Sequence, residues 1–394
     1  MTASPRRRRR ATLVGACVAI VATLAAAGLA VAGGLTIYNS TDATDTRETV
    51  PERVFPQTPT GLLAAVDDTG ALASVAVLVG APGGAGGSIV SVPVSADASA
   101  GGETRLPLDQ ALQSGGAEGL DREAEIAVGL SIDATEVITA DRLAALLEPL
   151  GPVEVDLPAA VTNANGEVVV EQGVQTLDAE QAAAVLTARD PARTGAERYA
   201  AAQAVWAAVA EAVGDGADGV AADGSGAIDA VLGPLLGGPI RHRGLGYTVP
   251  EAAQNPGGVD VVELDRIDAA LVFGQVAPGK MSAPGPALSF RIESPFDEVA
   301  VGEGGSTAQV AYDAIAQVLF VGGNVLSVST AAGPVPKVTQ VEVSDESLLS
   351  EVQGLEGLLG DVEISLAEER IAGIDAVIRL GTSYLDQRAA ADGG

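Results

Sequence analysis

The chain has 394 residues, enough for two ordinary domains with a tail or an anchor, and 47% of them are hydrophobic while only 3% are aromatic. Its 52 acidic and 22 basic residues give a formal charge of −30, and a body this acidic repels nucleic acid and anionic lipid headgroups, except through a local cationic patch. A single cysteine, Cys17, and a single histidine, His242, leave no disulfide framework or cysteine metal site within one chain and argue against a histidine zinc site or a Ser-His-Asp triad.

The charge is unevenly spread. Arg6 to Arg10 lie in a basic tail, residues 1–10, expected in the cytoplasm, and no acid precedes Asp42. With those five arginines set aside, 17 basic groups face 52 acidic ones, a net of −35. Ala11 to Ile37 is an uncharged apolar run of 27 residues, long enough to span a hydrocarbon core with some tilt. The positive-inside rule then predicts a single-pass transmembrane anchor over residues 11–37, with the main body extracytoplasmic. A cleavable signal peptide ending at Ala30-Val31-Ala32 is the competing reading. Lipidation at Cys17 is disfavoured, because the apolar stretch continues past it. Residues 38–57, rich in Thr, Asp and Arg, read as a solvated stalk.

From Thr58 the pattern becomes α/β, and a first domain is expected over residues 58–250. "GLLAAVDDTGALASVAVLVG" reads as two strands around an Asp67-Asp68-Thr69-Gly70 turn, and "GSIVSVPV" as a third. Residues 107–130 read as helical, broken at Gly115-Gly116. "TEVITA" is a short strand, and "DRLAALLEPLG" a helix with Leu143, Leu146, Leu147 and Leu150 on one face. "VEVDLP" is a strand, and "VTNANGEVVV" a hairpin through Asn165-Gly166. Two helices follow around Pro191, each opened by a capping box, Asp178 with Gln181 and Thr194 with Glu197. Residues 214–260 are Gly-rich, and loops with a short helix near 226–236 are expected. Arg241-His242-Arg243 reads there as a solvated turn.

A connecting segment, 251–285, leads to a smaller α/β domain over 286–385 and a disordered tail over 386–394. "ALSFRIES", "NVLSVSTA", "KVTQVEV", "DVEISL" and "GIDAVIRLG" read as its strands. "STAQVAYDAIAQVLFVGG" is a helix ended by two glycines, and "SDESLLSEVQGLEGLLG" a helix capped by Ser344. Strand–helix–strand order implies a small sheet with helices packed on it.

One stretch stands apart. In "LTARDPARTGAERYAAAQAVW", Arg189, Arg193 and Arg198 fall within ten positions of an acidic chain. Arg198 lies at about the fourth position of its helix and shares a face with Ala202, Val205 and Val209. Near a helix start, free N–H groups and the dipole favour an anion. Arg189, across the Pro191 turn, completes a cup for phosphate or pyrophosphate. The competing reading is structural, with Arg189 favouring a helix C-terminus and Arg198 pairing with a carboxylate.

The order of "RLPLDQALQSGGAEGL", "GPVEV", "GVQTLDAEQA" and the arginine stretch resembles the LytR–CpsA–Psr (LCP) family over roughly residues 58–215. The unit from "FRIESPF" to "GIDAVIRLGTSYL" resembles the LytR C-terminal domain. The resemblance implies a transmembrane helix, an LCP-like mixed α/β sheet domain and a LytR C-terminal-like α/β domain in a bacterial cell-envelope protein. The family attaches glycopolymers from polyprenyl-pyrophosphate carriers to the cell wall. This chain departs from the family pattern at the chemistry. Of the Arg-x-Arg pair, Thr187 stands at the first position and only Arg189 remains. In Asp-x-x-Arg-x-x-Arg-Gln, Gly195 replaces Asp, Arg198 remains, and Ala201 and Ala202 replace Arg and Gln. The family's Pro-Arg-Asp falls on Pro93-Val94-Ser95, without its arginine or its metal-binding aspartate.

Transfer from a pyrophosphate needs Mg²⁺ and several cations, and removing each such group costs on the order of 10²–10³ in rate. The expectation is a non-catalytic protein with no catalytic or metal residue and no cofactor. It binds a polyprenyl-phosphate lipid through Arg189, Arg198 and Arg193, or a partner such as a cell-wall enzyme. The alternative is an active phosphotransferase using Mg²⁺ with a relocated set drawn from Asp97, Glu103, Arg105 or Asp109. A third reading is a structural or protein-binding role, with the cleft filled by side chains.

Overall fold

Two long apolar runs organise the first half of the molecule. The computed structural model describes residues 51–99, 104–214, 216, 226–283, 286–301 and 305–392. The basic tail, the expected anchor over 11–37 and most of the stalk lie outside the described residues, as does Glu103. In chain order come β1 (Glu52–Arg53), β2 (Thr60–Val66), β3 (Leu72–Gly80), β4 (Gly87–Val92), α1 (Leu108–Val128), β5 (Ala134–Ile138) and α2 (Ala140–Leu147). Next are β6 (Val153–Leu157), β7 (Val161–Thr162), β8 (Val168–Val170), β9 (Gly173–Leu177), α3 (Ala179–Thr187), α4 (Gly195–Val213), α5 (Asp229–Leu236) and β10 (Ile240–Gly244).

The first sheet has the order β10-β4-β3-β2-β5. β3 is antiparallel to β2 and β4, while β5 and β10 run parallel to their neighbours. Every residue of β2 and β3 is buried, which is why both read as unbroken apolar runs and not as alternation. Their turn is held by Asp67, whose Oδ1 accepts from the N–H groups of Thr69 (2.8 Å) and Ala71 (3.0 Å). Leu63, Ala65, Ala76 and Leu78 face a core shared with α2 to α5, where Trp206 and Leu235 sit. Leu62, Ala64, Val75 and Val77 face the other side, against α1. Alternation of side chains along a strand divides them this way. α1 bends at Gly116, whose φ of 63° favours glycine.

β11 (Tyr247–Thr248), β12 (Glu263–Leu264) and α6 (Arg266–Val276) precede the second sheet. That sheet is built from β13 (Ser289–Ser294), β14 (Asn324–Thr330), β15 (Thr339–Val343) and β16 (Val362–Leu366). The short β17 (Arg370–Ile371) precedes its last member, β18 (Ala376–Arg379). Its order is β14-β13-β18-β15-β16, with only β15 and β18 antiparallel. A helix over Thr307–Phe320 lies on it, burying Val310, Ala314, Ile315 and Val318. α6 belongs to both cores. Ala269, Val272 and Phe273 pack with the first sheet, and Ala270 and Leu271 with the second.

Five sequence expectations are corrected here. The tail expected to be disordered over 386–394 is helical through Asp392, in a helix over Thr382–Asp392, and Arg388 Nε donates from it to Asp313 Oδ2 at 2.9 Å. The 251–285 segment is no plain connector, because it contains α6 and its fully buried Phe273. Arg241-His242-Arg243 is not a turn but part of the edge strand β10, paired in parallel with β4. Its polar sequence hid it, since an edge strand tolerates charged side chains. The helix expected from Ser344 is two short 3₁₀ segments, Glu346–Ser350 and Val352–Leu355, and Asp345 caps the first. Gly354, Gly357 and Gly360 interrupt the run; the last two have φ of 79°, so an α-helix cannot pass through. The expected stalk is not free up to residue 57, since Glu52 and Arg53 within it pair with Arg370 and Ile371.

Candidate functional site

Beyond β4 the chain runs on through Pro93-Val94-Ser95-Ala96-Asp97 beneath the start of α1. The N–H of Asp109 donates to the Val94 carbonyl (3.1 Å) and that of Leu108 to Ala96 (3.2 Å). On its other edge, Val262 N–H donates to the Ser95 carbonyl (2.8 Å) and Asp97 N–H to that of Val262 (2.9 Å). The start of α4 lies against the same segment. A Cβ on Gly195 would stand 2.7 Å from Ser95 Oγ. The Thr194 capping box sets the first turn of α4, with Thr194 Oγ1 accepting from Glu197 N–H at 3.2 Å. That turn carries Arg198 inward.

The sequence therefore brings Arg189, from the end of α3, and Arg198 close enough for each charge to be felt by the same groups. Burial, then the neighbouring Arg189 guanidinium, holds Arg198 below its ordinary value. Asp109 and Asp260 pull it the other way. Burial raises the Asp109 carboxyl, Asp260 adds to the rise, and both arginines oppose it. Arg198 Nη1 is spent on two carbonyls, of Arg193 (2.6 Å) and Asp190 (3.2 Å). Its Nε, Arg189 Nε and Asp109 Oδ1 are buried and have no hydrogen-bond partner among the described residues. Nor does any ion pair there join either arginine to Asp109 or Asp260. Buried donors left in this state cost free energy until an acceptor reaches them.

Arg193 is engaged differently. Its Nε lies 3.7 Å from Asp190 Oδ2. Asp190 itself accepts from the Thr162 hydroxyl (2.6 Å), and that bond, with the Ala192 N–H, holds its carboxyl low. Arg193, Arg198, Thr162 and Val161 line a cavity of about 30 Å³. This is far below the roughly 300–1,000 Å³ of a ligand pocket; it suits a water or a small polar group.

Of the described members of the relocated set, Asp97, Arg105 and Asp109, only Asp109 faces the arginines. Asp97 and Arg105 form a separate pair, 2.6 Å apart with side chains 2% and 8% exposed, and Glu263 lies 2.8 Å from the same nitrogen. Burial pushes the Asp97 carboxyl up, but the donors Arg105, Ser99 and Leu106 outweigh it and hold the group below its usual value. A depressed native value means stability present at neutral pH and lost as pH falls through that value. Replacing Arg105 with Met strands the carboxylate, and a loss of about 1–3 kcal/mol at pH 7 is expected. The gap between variant and parent should be smaller at pH 4 than at pH 7, because the stranded carboxyl, raised by burial, protonates before the paired one does. Urea melts at both pH values measure this; a gap independent of pH counts against it.

Sequence reasoning missed Asp260, which sits in the Gly-rich stretch and accepts from Gly195 N–H at 2.7 Å. Nothing in its local pattern marks it. His242 Nε2 and Ser91 Oγ lie 2.9 Å apart between the paired strands β10 and β4, with no carboxylate bonded to the imidazole among the described residues. Burial pushes the imidazole down to about 4. Among the described residues no group of three or more His, Cys, Asp or Glu side chains is placed to hold a metal.

Solved structures resemble this chain over just over half its length. A Bacillus subtilis TagV structure matches with a TM-score of 0.40 and 15% identity, covering 55% of this chain and 94% of that one. A LytR-CPS2A-psr family protein, YwtF (TagT), with bound octaprenyl pyrophosphate lipid matches with a TM-score of 0.37 and 16% identity, over 54% and 85%. A transcriptional regulator from Enterococcus faecalis gives 0.39 and 18%, over 54% and 84%. The chain is similar to LCP proteins. No family model and no curated protein matches the sequence.

Proposed function

We propose that this is a membrane-anchored, extracytoplasmic cell-envelope protein on an LCP-like scaffold. It binds the phosphate or pyrophosphate head of a polyprenyl-linked intermediate between Arg189 and Arg198, without transferring it. One observation carries the reading. In a body of net charge −35, two neighbouring guanidinium groups each keep a buried, unpartnered Nε while nearby carboxylates leave them unpaired. Charge-assisted hydrogen bonds to a phosphate match those donors in geometry and strength. The five arginines before an apolar run support the anchor, and the order of the sequence motifs supports the scaffold. The departures at Val94, Thr187, Ala201 and Ser95 support binding without transfer, because cations that would meet developing charge and a metal-binding aspartate are missing.

A second reading is an active phosphotransferase. Asp109 favours it, as a carboxylate facing both arginines at the start of α1. Mg²⁺ is commonly held by one or two carboxylates together with substrate phosphates, and Asp109 with Asp260 are the residues that would hold it. When bound, the ion neutralises charge that develops on the transferring group.

Titration of the full chain with a short-chain polyprenyl pyrophosphate, with and without Mg²⁺, separates the readings. Binding without released phosphate product supports the binder. Mg²⁺-dependent product release supports the transferase. No binding under either condition removes both and leaves the structural reading.

A further inference from the structure

The start of α4 already carries an anion of the protein's own. Gly195 is the first residue of this 19-residue helix, and its N–H donates to Asp260 Oδ2 at 2.7 Å. First-turn N–H groups are where a phosphate would dock, because their donors and the helix dipole point outward there. The occupant of that donor is thus a carboxylate from the 255–262 stretch, and Asp260 itself is exposed. It acts on both Arg198 and Asp109, so it lies within the electrostatic field of the proposed cup.

A second group at the same place lacks a partner. Ser95 is 1% exposed, yet its Oγ has no hydrogen-bond partner among the described residues. It stands against Gly195 so closely that a Cβ there would approach to 2.7 Å. A buried hydroxyl beside a helix N-terminus, with nothing to donate to, is a donor left over for an incoming acceptor. Asp260 does not use it, although it binds the adjacent N–H.

Resting on the anion-binding reading above, we propose that Asp260 is a resident competitor at that site: a phosphate must displace its carboxylate from Gly195 N–H, and in doing so it gains the Ser95 hydroxyl. Asp260 thereby sets the affinity threshold. A carboxylate offers one negative charge and two acceptor atoms. A pyrophosphate offers more of both, and it reaches Ser95 and Arg198 together. Ligands no better than a carboxylate are excluded by the one already present. The exposed position of Asp260 lets it leave without disturbing either core.

The test compares the full chain with its Asp260→Asn variant by calorimetric titration with inorganic pyrophosphate at fixed salt. Asparagine is isosteric, so the fold is kept, but its neutral amide oxygen holds Gly195 N–H less strongly than a carboxylate and is displaced more easily; an unchanged thermal midpoint verifies the fold. About tenfold tighter binding is expected, the order for removing one partly solvated like charge beside an anion. Adding Ser95→Ala in the Asp260→Asn background should give back several-fold of that gain. Unchanged affinity in Asp260→Asn, while an Arg189→Ala/Arg198→Ala variant loses binding, overturns the competitor and leaves the arginine site standing. Weaker binding in Asp260→Asn also overturns it and assigns Asp260 to holding the ligand or its cation. No binding by either protein overturns the inference and the site reading together.

Discussion

Replacing Arg189 and Arg198 together with alanine should weaken pyrophosphate binding by about 10²–10⁴-fold. Each hydrogen bond to a charged group contributes about 1.5–3 kcal/mol net, and two such groups are removed. The loss is expected chiefly from Arg198, which is tied to the carbonyls of Arg193 and Asp190 and so is held in place before any ligand arrives. Arg189 Nε has no hydrogen-bond partner among the described residues, and the alanine variant of Arg189 alone should cost less. Arg193 already faces Asp190, so Arg193→Ala should change affinity little beyond the screening it contributes. Calorimetry on the three single variants and the double variant reads this directly. An Arg193→Ala effect as large as that of Arg198→Ala would move the site to the small cavity beside Thr162.

Phe273→Ala should destabilise the fold by about 3–5 kcal/mol, the range for emptying a buried aromatic position. Phe273 is 0% exposed and sits on α6, which closes the first core from one face and lends Ala270 and Leu271 to the second. The adjacent Gly274 lies tight against β14, where a Cβ would meet Val328 Cγ2 at 3.1 Å. The helix has little freedom to settle into the hole, which keeps the cost at the upper end. Because both sheets share α6, one cooperative transition is expected for the variant. Ile126→Ala serves as the comparison: Ile126 is 53% exposed on α1, and a change within about 0.5 kcal/mol is expected there. Urea melts followed by Trp206 fluorescence and by far-UV circular dichroism test both points. Two separated transitions would mean that the sheets do not depend on α6 in the way described.

The parts of the fold legible in the sequence are those governed by short-range chemistry. The Asp67 turn, both capping boxes, the Asn163–Glu167 hairpin and the break at Gly116 each arise from residues within a few positions of one another. The parts that were not legible depend on remote neighbours. β10 is polar and short, and only β4 makes it a strand. α6 has apolar residues on all sides because two cores claim it, so no single face announced it. In the site, the two arginines could be found from their contrast with an acidic chain. Asp260 could not, because its role exists only where residue 260 meets residue 195. Ser95, set down from sequence as a missing aspartate, turns out to be a buried hydroxyl without a partner.

The pairing of β1 with β17 bears on how the protein carries tension. Arg53 donates to Glu369 at 2.6 Å, and the Arg53 carbonyl accepts from Ala372 N–H at 2.9 Å. A pull passed along the chain from before Pro51 therefore arrives first at the loop between β16 and β18, and not at β2. Two paired residues and one surface ion pair are a weak clasp beside the seven-residue pairing of β2 with β3. Under strain the clasp opens before the first sheet is touched, and the pull passes to residues 54–57 ahead of the buried Thr58. The first sheet is thereby insulated from strain that enters the chain before Pro51.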